Sequence, residues 1–198
     1  VVAIYSSFMQ RAYDQMIHDV CLQRLPVVFC LDRGGLVGDD GPTHHGTFDL
    51  SFSRMMPNIA VMAPKDENEL QHMLKTALNL PGPSVIRYPR GAGLGVPMDS
   101  QLKLLPIGKG EVLRSGEDAT LYAIGYPVQP CLDASDILLE KGVRVGVVNA
   151  RFAKPLDRDF TLEVARLAPL LITVEENTGV GGFGDGVRET LEGAHIDV

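Results

Sequence analysis

Long hydrophobic runs are missing from this chain. No apolar stretch approaches the length of a membrane span, and no signal peptide is visible. A helical membrane protein is therefore not expected. Clusters of Lys and Arg are missing too. The chain has 18 Lys and Arg against 25 Asp and Glu, a formal charge of −7. That balance argues against a nucleic-acid partner but leaves room for a local basic pocket that takes a small anion. Cysteine is scarce. Cys21, Cys30 and Cys131 lie far apart, two of them in apolar segments, with no metal-ligand spacing. They read as buried, reduced thiols of a cytosolic or organellar interior. There is no initiating Met: Val1-Val2-Ala3-Ile4-Tyr5 already reads as a strand. At the other end, Ala194-His195-Ile196-Asp197-Val198 reads as the approach to a further strand. The expectation is a piece of a larger chain.

What is present describes an ordinary globular protein. The 198 residues are 45% apolar and 22% charged, enough for one large or two small domains. Val27 to Leu31 is a continuous apolar run, as a parallel strand covered on both faces requires. Ile59 to Ala63 and Val85 to Tyr88 read as further strands. Between strands, Ser7 with Gln10 is placed as a capping box, and Met9, Ala12, Tyr13, Met16, Ile17 and Val20 keep helical spacing. Asp66 caps a second helix, with Leu70, Met73, Leu74, Ala77 and Leu78 as its buried face. Glycines and prolines from about Gly91 to Pro106 mark a linker of low order. Beyond it the alternation restarts: strands at 120–124, 143–148 and 170–174, helices at 128–141, 158–168 and from about Val187. The pattern predicts two consecutive α/β domains with mainly parallel sheets flanked by helices.

The densest chemistry lies after the second strand, in Val37-Gly38-Asp39-Asp40-Gly41-Pro42-Thr43-His44-His45-Gly46-Thr47-Phe48-Asp49. Open α/β sheets place their chemistry in such loops. Spacing alone leaves two readings open, a site or a surface loop with incidental histidines. Asp40 and His44 are placed to pair, the carboxylate setting the tautomer of the imidazole. His44 and His45 are adjacent, so at most one faces a given ligand. Asp39, Asp40, His44 and His45 offer metal-ligand types but match no zinc or calcium spacing. Arg33 and Arg90 each follow a parallel strand. They are either a bidentate phosphate grip or two solvated arginines. Phe8 and Arg11 fall off the core stripe of the first helix, which marks either a site or local packing. The turn Gly179-Val180-Gly181-Gly182-Phe183-Gly184 precedes a helix and reads as structural, since it lacks the Walker lysine and the dinucleotide fingerprint.

Several segments together carry a resemblance. They are Tyr5 to Gln15, Asp32 to His44, Arg87-Tyr88-Pro89-Arg90-Gly91, Arg151-Phe152-Ala153-Lys154-Pro155-Leu156-Asp157 and Val174-Glu175-Glu176-Asn177. They resemble the 1-deoxy-D-xylulose-5-phosphate synthases, of the transketolase-like thiamine diphosphate enzymes. The resemblance implies condensation of pyruvate with D-glyceraldehyde 3-phosphate, with loss of carbon dioxide. The product, 1-deoxy-D-xylulose 5-phosphate, serves isoprenoid, thiamine and pyridoxal synthesis. It implies a homodimer, in bacterial cytoplasm or plastid stroma, that uses thiamine diphosphate and Mg2+. By the same resemblance Phe8 stacks on the cofactor's aminopyrimidine, with Tyr5 and Arg11 beside it near the substrate. Arg33 and Arg90 hold the substrate phosphate. Asp40 and His44 line the reacting centre, and His45 has no assigned role. Residues 1–104 then correspond to the pyrimidine-binding domain and 105–198 to the transketolase C-terminal domain, each incomplete. The diphosphate and Mg2+ ligands, a Gly-Asp-Gly motif with a following Asn, are expected in a preceding domain, and the activating glutamate just before Val1. The alternatives are a split transketolase, a 2-oxo acid dehydrogenase beta-type subunit, or a non-catalytic module of the same fold. The arginines favour the synthase, because a phosphosugar needs them and a lipoyl arm does not.

Overall fold

The computed structural model describes residues 1–196. In the first sheet β1 (Val2–Tyr5), β2 (Val28–Asp32), β4 (Ser84–Arg87) and β3 (Ala60–Met62) lie side by side in that order, all parallel. β8 (Phe152–Lys154) closes the far edge, antiparallel to β3. The second sheet runs β5 (Glu111–Arg114), β7 (Val145–Asn149), β6 (Ala119–Ala123), β9 (Leu171–Val174). β6 is parallel to both neighbours, and β5 is an antiparallel edge. Helices flank both sheets, as the alternating pattern requires. Among the described residues no helix is long and apolar enough to cross a membrane.

The central strands are buried along most of their length, which is why they read as apolar runs: Leu31, Val61, Val85 and Ile86 are inaccessible to solvent. Three elements escaped the pattern: β5, β8 and the helix Asp49–Met55. Each is short, and each is fixed by what it packs on rather than by its own periodicity. β8 in particular comes from the second half of the chain and completes the sheet of the first.

The segment after β1 buries the stripe expected of it: Met9 and Met16 are in the core, with Ala12, Tyr13, Ile17 and Val20 packed against it. Its capping box does not form. Helical geometry begins at Ser6, Tyr5 occupies the cap without a side-chain bond, and the Oγ atoms of Ser6 and Ser7 are buried without a partner among the described residues. Nor is it one regular helix. It passes from α (Ser6–Met9) through 3-10 (Gln10–Ala12) and α (Tyr13–Gln15) to a π stretch (Met16–Cys21).

The helix Glu67–Leu78 is capped as expected, with Asp66 Oδ1 accepting the Glu69 N–H at 2.7 Å. Its buried face is rotated from the apolar stripe. Met73 and Ala77 are buried, but so are Glu69, His72 and Thr76, whereas Leu74 and Leu78 are exposed. Glu69 is covered by Asn149 and Arg151 of the second half of the chain, and His72 and Thr76 by the supposed linker. The linker has no regular structure, yet this helix fixes it throughout. Glu67 accepts the N–H groups of Leu94, Gly95 and Val96 (3.0, 2.6 and 3.0 Å). Asn68 accepts from Asp99, His72 Nδ1 from Lys103 and Thr76 Oγ1 from Leu105. The linker's backbone N–H groups thus find acceptors on polar side chains of the helix.

At the chain end, the helix expected from about Val187 begins at Phe183, and that expected over 158–168 stops at Val164. Residues 193–195 form a turn. Residues 197–198 of the expected further strand lie outside the described residues.

Candidate active site

Parallel register decides which residues meet. Tyr5 at the end of β1 is opposite Asp32, and Leu31 is opposite Arg87, so the C-terminal ends of β1, β2 and β4 form one edge. Arg33 follows β2 in the left-handed region, at φ 60°. Four contacts hold it there. Its N–H donates to Asp32 Oδ1 at 2.7 Å, and its Nη1 to Asp32 Oδ2 at 2.7 Å. Its Nε donates to Asp40 Oδ2 at 2.8 Å, and its guanidinium lies 3.8 Å from the centre of the Tyr5 ring. Arg90 Nε is 3.0 Å from the same Asp40 oxygen. One carboxylate therefore gathers both guanidiniums. The Arg33 hydrogen bond, with the charges of Arg90, Arg33 and His44, outweighs burial and holds the Asp40 carboxyl below its ordinary range.

Next to this pair stands an aromatic group. Tyr5 stacks on Phe8 with centroids 5.1 Å apart, and the His44 ring meets Phe8 edge-on at 5.3 Å and Tyr5 at 6.1 Å. Phe8 is 38% exposed, and the Arg11 guanidinium is 6.0 Å from its ring centre. The Asp40–His44 pairing suggested by spacing is not made. Asp40 is taken by the two arginines, and His44 Nδ1 is 3.0 Å from Thr43 Oγ1. His45 has a different occupation: its Nδ1 accepts the Val37 N–H at 3.0 Å and pins the loop.

Other residues support the site without entering it, and sequence reasoning missed most of them. Arg87 is fully buried. Its Nε contacts Asp49 Oδ2 at 3.1 Å, and its Nη2 donates to the Glu176 and Gly46 carbonyls. Burial raises the Glu176 carboxyl above its usual range, against the charge of Arg87 and a bond from the Leu36 backbone. No spacing rule marks such partners, which lie 38 and 89 positions apart in sequence. The Gly-rich turn is structural: Glu175 accepts the Phe183 and Gly184 N–H groups, each at 2.8 Å, so the protein's own carboxylate fills the helix N-terminus. A Gly-Asp-Gly triplet does occur, at Gly184-Asp185-Gly186, but inside that helix. Asp185 there accepts from Gly181 and pairs with Arg188.

Comparison with known proteins agrees with this fold. Residues 1–94 match the transketolase pyrimidine-binding domain and 108–198 the transketolase C-terminal domain. Over 96% of its length the chain is 61% identical to 1-deoxy-D-xylulose-5-phosphate synthase 1 of Geobacter sulfurreducens, of which it spans 30%. It is 58% identical over its whole length to the synthase of Heliobacterium modesticaldum, of which it spans 31%. The chain belongs to the transketolase-like family. A solved structure titled a split gene transketolase, an inactive beta4 tetramer, superposes on this transketolase-like chain with a TM-score of 0.85 at 30% identity. That match covers 96% of this chain and 61% of the other. The transketolase of Campylobacter jejuni shares the fold at a TM-score of 0.68 and 21% identity, over 96% of this chain and 32% of its own.

Within this transketolase-like chain the segments that carried the resemblance divide by task. Tyr5 to Gln15, Asp32 to His44 and Arg87 to Gly91 surround the aromatic and arginine groups. Arg151 to Asp157 and Val174 to Asn177 join the domains. Glu69 accepts from Asn149 at 2.9 Å and from Arg151 at 2.7 Å, and Lys154 donates to the Arg54 and Met56 carbonyls. Asn177 accepts from Leu50 and donates to Ser51. Among the described residues no cluster of three or more His, Cys, Asp or Glu is placed to hold a metal ion.

Proposed function

We propose that the chain supplies the pyrimidine-side half of the active site of a 1-deoxy-D-xylulose-5-phosphate synthase. In this reading residues 1–104 act as the pyrimidine-binding domain and 105–198 as the C-terminal domain. The observation that carries it is the shared Asp40 oxygen, which holds Arg33 and Arg90 together beside the Tyr5–Phe8–His44 group. Two fixed guanidiniums match the bidentate geometry of a phosphate. The phosphate of D-glyceraldehyde 3-phosphate is their ligand here, and pyruvate is the second substrate.

The residues present fit thiamine diphosphate on its pyrimidine side. Phe8 keeps an exposed ring, backed by Tyr5, on which a planar heterocycle can stack, with Arg11 alongside. The diphosphate and Mg2+ are assigned to the rest of the polypeptide. When bound, the cofactor supplies the carbanion chemistry. The chain's own residues orient and protonate. Arg33 and Arg90 fix the aldehyde substrate by its charged end, and Asp40 keeps the two arginines from separating. His44, with Nδ1 against Thr43, has Nε2 to exchange a proton with a substrate oxygen. The reading includes a homodimer and an isolated chain that turns over nothing. A split transketolase is the second reading, favoured by the superposition at a TM-score of 0.85. The higher identity to the synthases, 61% and 58%, favours the first.

Two measurements test it. Calorimetric titration of the 198-residue chain with thiamine diphosphate and Mg2+ should show weak binding; tight, Mg2+-dependent binding would contradict the assignment of the diphosphate site. In the complete enzyme, Arg90→Ala should raise KM for the phosphorylated aldehyde about tenfold to hundredfold, with little change for pyruvate. An equal effect on both substrates would mean that Arg90 holds the fold or the cofactor.

A further inference from the structure

A cavity of about 530 Å³ opens beside Arg90, between the two domains. Leu36, Tyr88 and Leu94 line it from the first domain, Tyr126 and Glu176 from the second. Its volume is in the range of small-molecule sites and is more than a three-carbon phosphate needs. Three large side chains from distant segments converge there while still exposed: Leu36 at 65%, Leu94 at 45% and Tyr126 at 43%. Such a cluster is costly unless something covers it.

The charge of the cavity is decided by which groups are already engaged. Glu67 is occupied by three backbone N–H groups. Asp66 accepts from Glu69 and from Lys65. Glu176 takes a bond from the Leu36 backbone and faces the charge of Arg87, and burial raises its carboxyl above the usual range. Arg90 engages Asp40 through Nε, which leaves its Nη groups for a ligand. What the walls offer is one guanidinium at the edge of an apolar, aromatic-lined space.

We propose that this cavity is a second binding site, for a small phosphate ester with an apolar or aromatic body. The phosphate lies on Arg90, and the body lies among Leu36, Leu94 and Tyr126. The inference rests on Arg90 being an anion anchor, as in the proposed function. A ligand held this way shares Arg90 with the aldehyde substrate. It therefore competes with D-glyceraldehyde 3-phosphate and not with pyruvate.

The test uses the complete enzyme, phenyl phosphate as the probe and inorganic phosphate as the control. Phenyl phosphate should inhibit competitively against D-glyceraldehyde 3-phosphate, with an inhibition constant about tenfold or more below that of inorganic phosphate, since its ring leaves water. Tyr126→Ala should weaken phenyl phosphate about two- to tenfold. It should leave the inorganic phosphate constant and both KM values unchanged. If phenyl phosphate is no better than phosphate, or if Tyr126→Ala does not discriminate between them, the cavity is not a site, and the phosphate grip stands. If Arg90→Ala leaves inhibition by both probes unchanged, it is the Arg90 reading itself that fails.

Discussion

Removing the Asp49 carboxylate should cost far more than removing any carboxylate at the surface. The Arg87 side chain is 1% exposed and that of Asp49 is 0% exposed. Their contacts are 3.1 and 3.3 Å from Arg87 Nε to the two carboxylate oxygens. Asp49→Ala takes from the buried guanidinium the one carboxylate it contacts directly, a loss that typically costs about 3–5 kcal/mol. The Leu50 N–H also loses Asp49 Oδ1 at 2.9 Å, but Asn177 Oδ1 accepts from it as well, so that loss adds little. A cost of that size is a large part of the ~5–15 kcal/mol that holds a domain together. The double variant Asp49→Leu with Arg87→Met should be less harmed than Asp49→Ala. It carries no buried charge and leaves only the Gly46 and Glu176 carbonyls short of a donor, about 1–3 kcal/mol. Urea unfolding followed by circular dichroism measures both, with Arg87→Met alone closing the cycle. A single-variant cost under about 1 kcal/mol, or additive effects in the cycle, would refute a coupled buried pair.

Three further outcomes follow from the same geometry. In the complete enzyme His44→Ala should lower kcat by about 10²–10⁴-fold with little change in melting temperature. His45→Ala, which frees the Val37 N–H, should lower stability and change kcat much less; steady-state kinetics with melting curves would expose a reversed order. Gly46→Ala should destabilise, because a Cβ there meets the Arg33 carbonyl and the Ser6 side chain; overpacking of this kind costs about 1–3 kcal/mol, and an unchanged urea midpoint would deny the contact. Glu67 is held below the ordinary carboxylate range by backbone N–H groups, first its own and then, against burial, those of the linker at Leu94, Gly95 and Val96. Its folded value is depressed, so its contribution is present above the unfolded value and is lost as pH falls through the folded one. Limited proteolysis should find the 91–97 segment protected at neutral pH and cut faster in acid below that range, and Glu67→Gln should be cut faster at neutral pH already. A variant as resistant as the parent would remove Glu67 from that role.

Much of the fold was legible because its signals are local. A strand buried on both faces must be apolar throughout, so β2 stood out. The helix Glu67–Leu78 shows where this reasoning stops. Its apolar positions mark Leu74 and Leu78 as buried, but the linker takes the polar side of the helix, so His72 and Thr76 are buried and those leucines are not. A backbone without regular structure must still satisfy its N–H groups, and which helix offers the acceptors is invisible in sequence. The irregular helix at 6–21 and the strand β8 depend likewise on distant neighbours.

The same division runs through the site. By itself the sequence determined the chemical types and their order: Tyr5 and Phe8 after one strand, Arg33 to His44 after the next, Arg90 after a third. It also determined the resemblance those motifs carry. Only the tertiary structure decided who meets whom. Parallel register brought three strand ends to one edge, which set Arg33 and Arg90 on a single Asp40 oxygen and left His44 among aromatics. It also turned Arg87, three residues from Arg90 in the same motif, inward to a buried carboxylate. The physical reason is reach. Local propensity and alternation act over a few residues, whereas a charge or hydrogen-bond partner is chosen by distance in space, and here that distance is set by strand pairing.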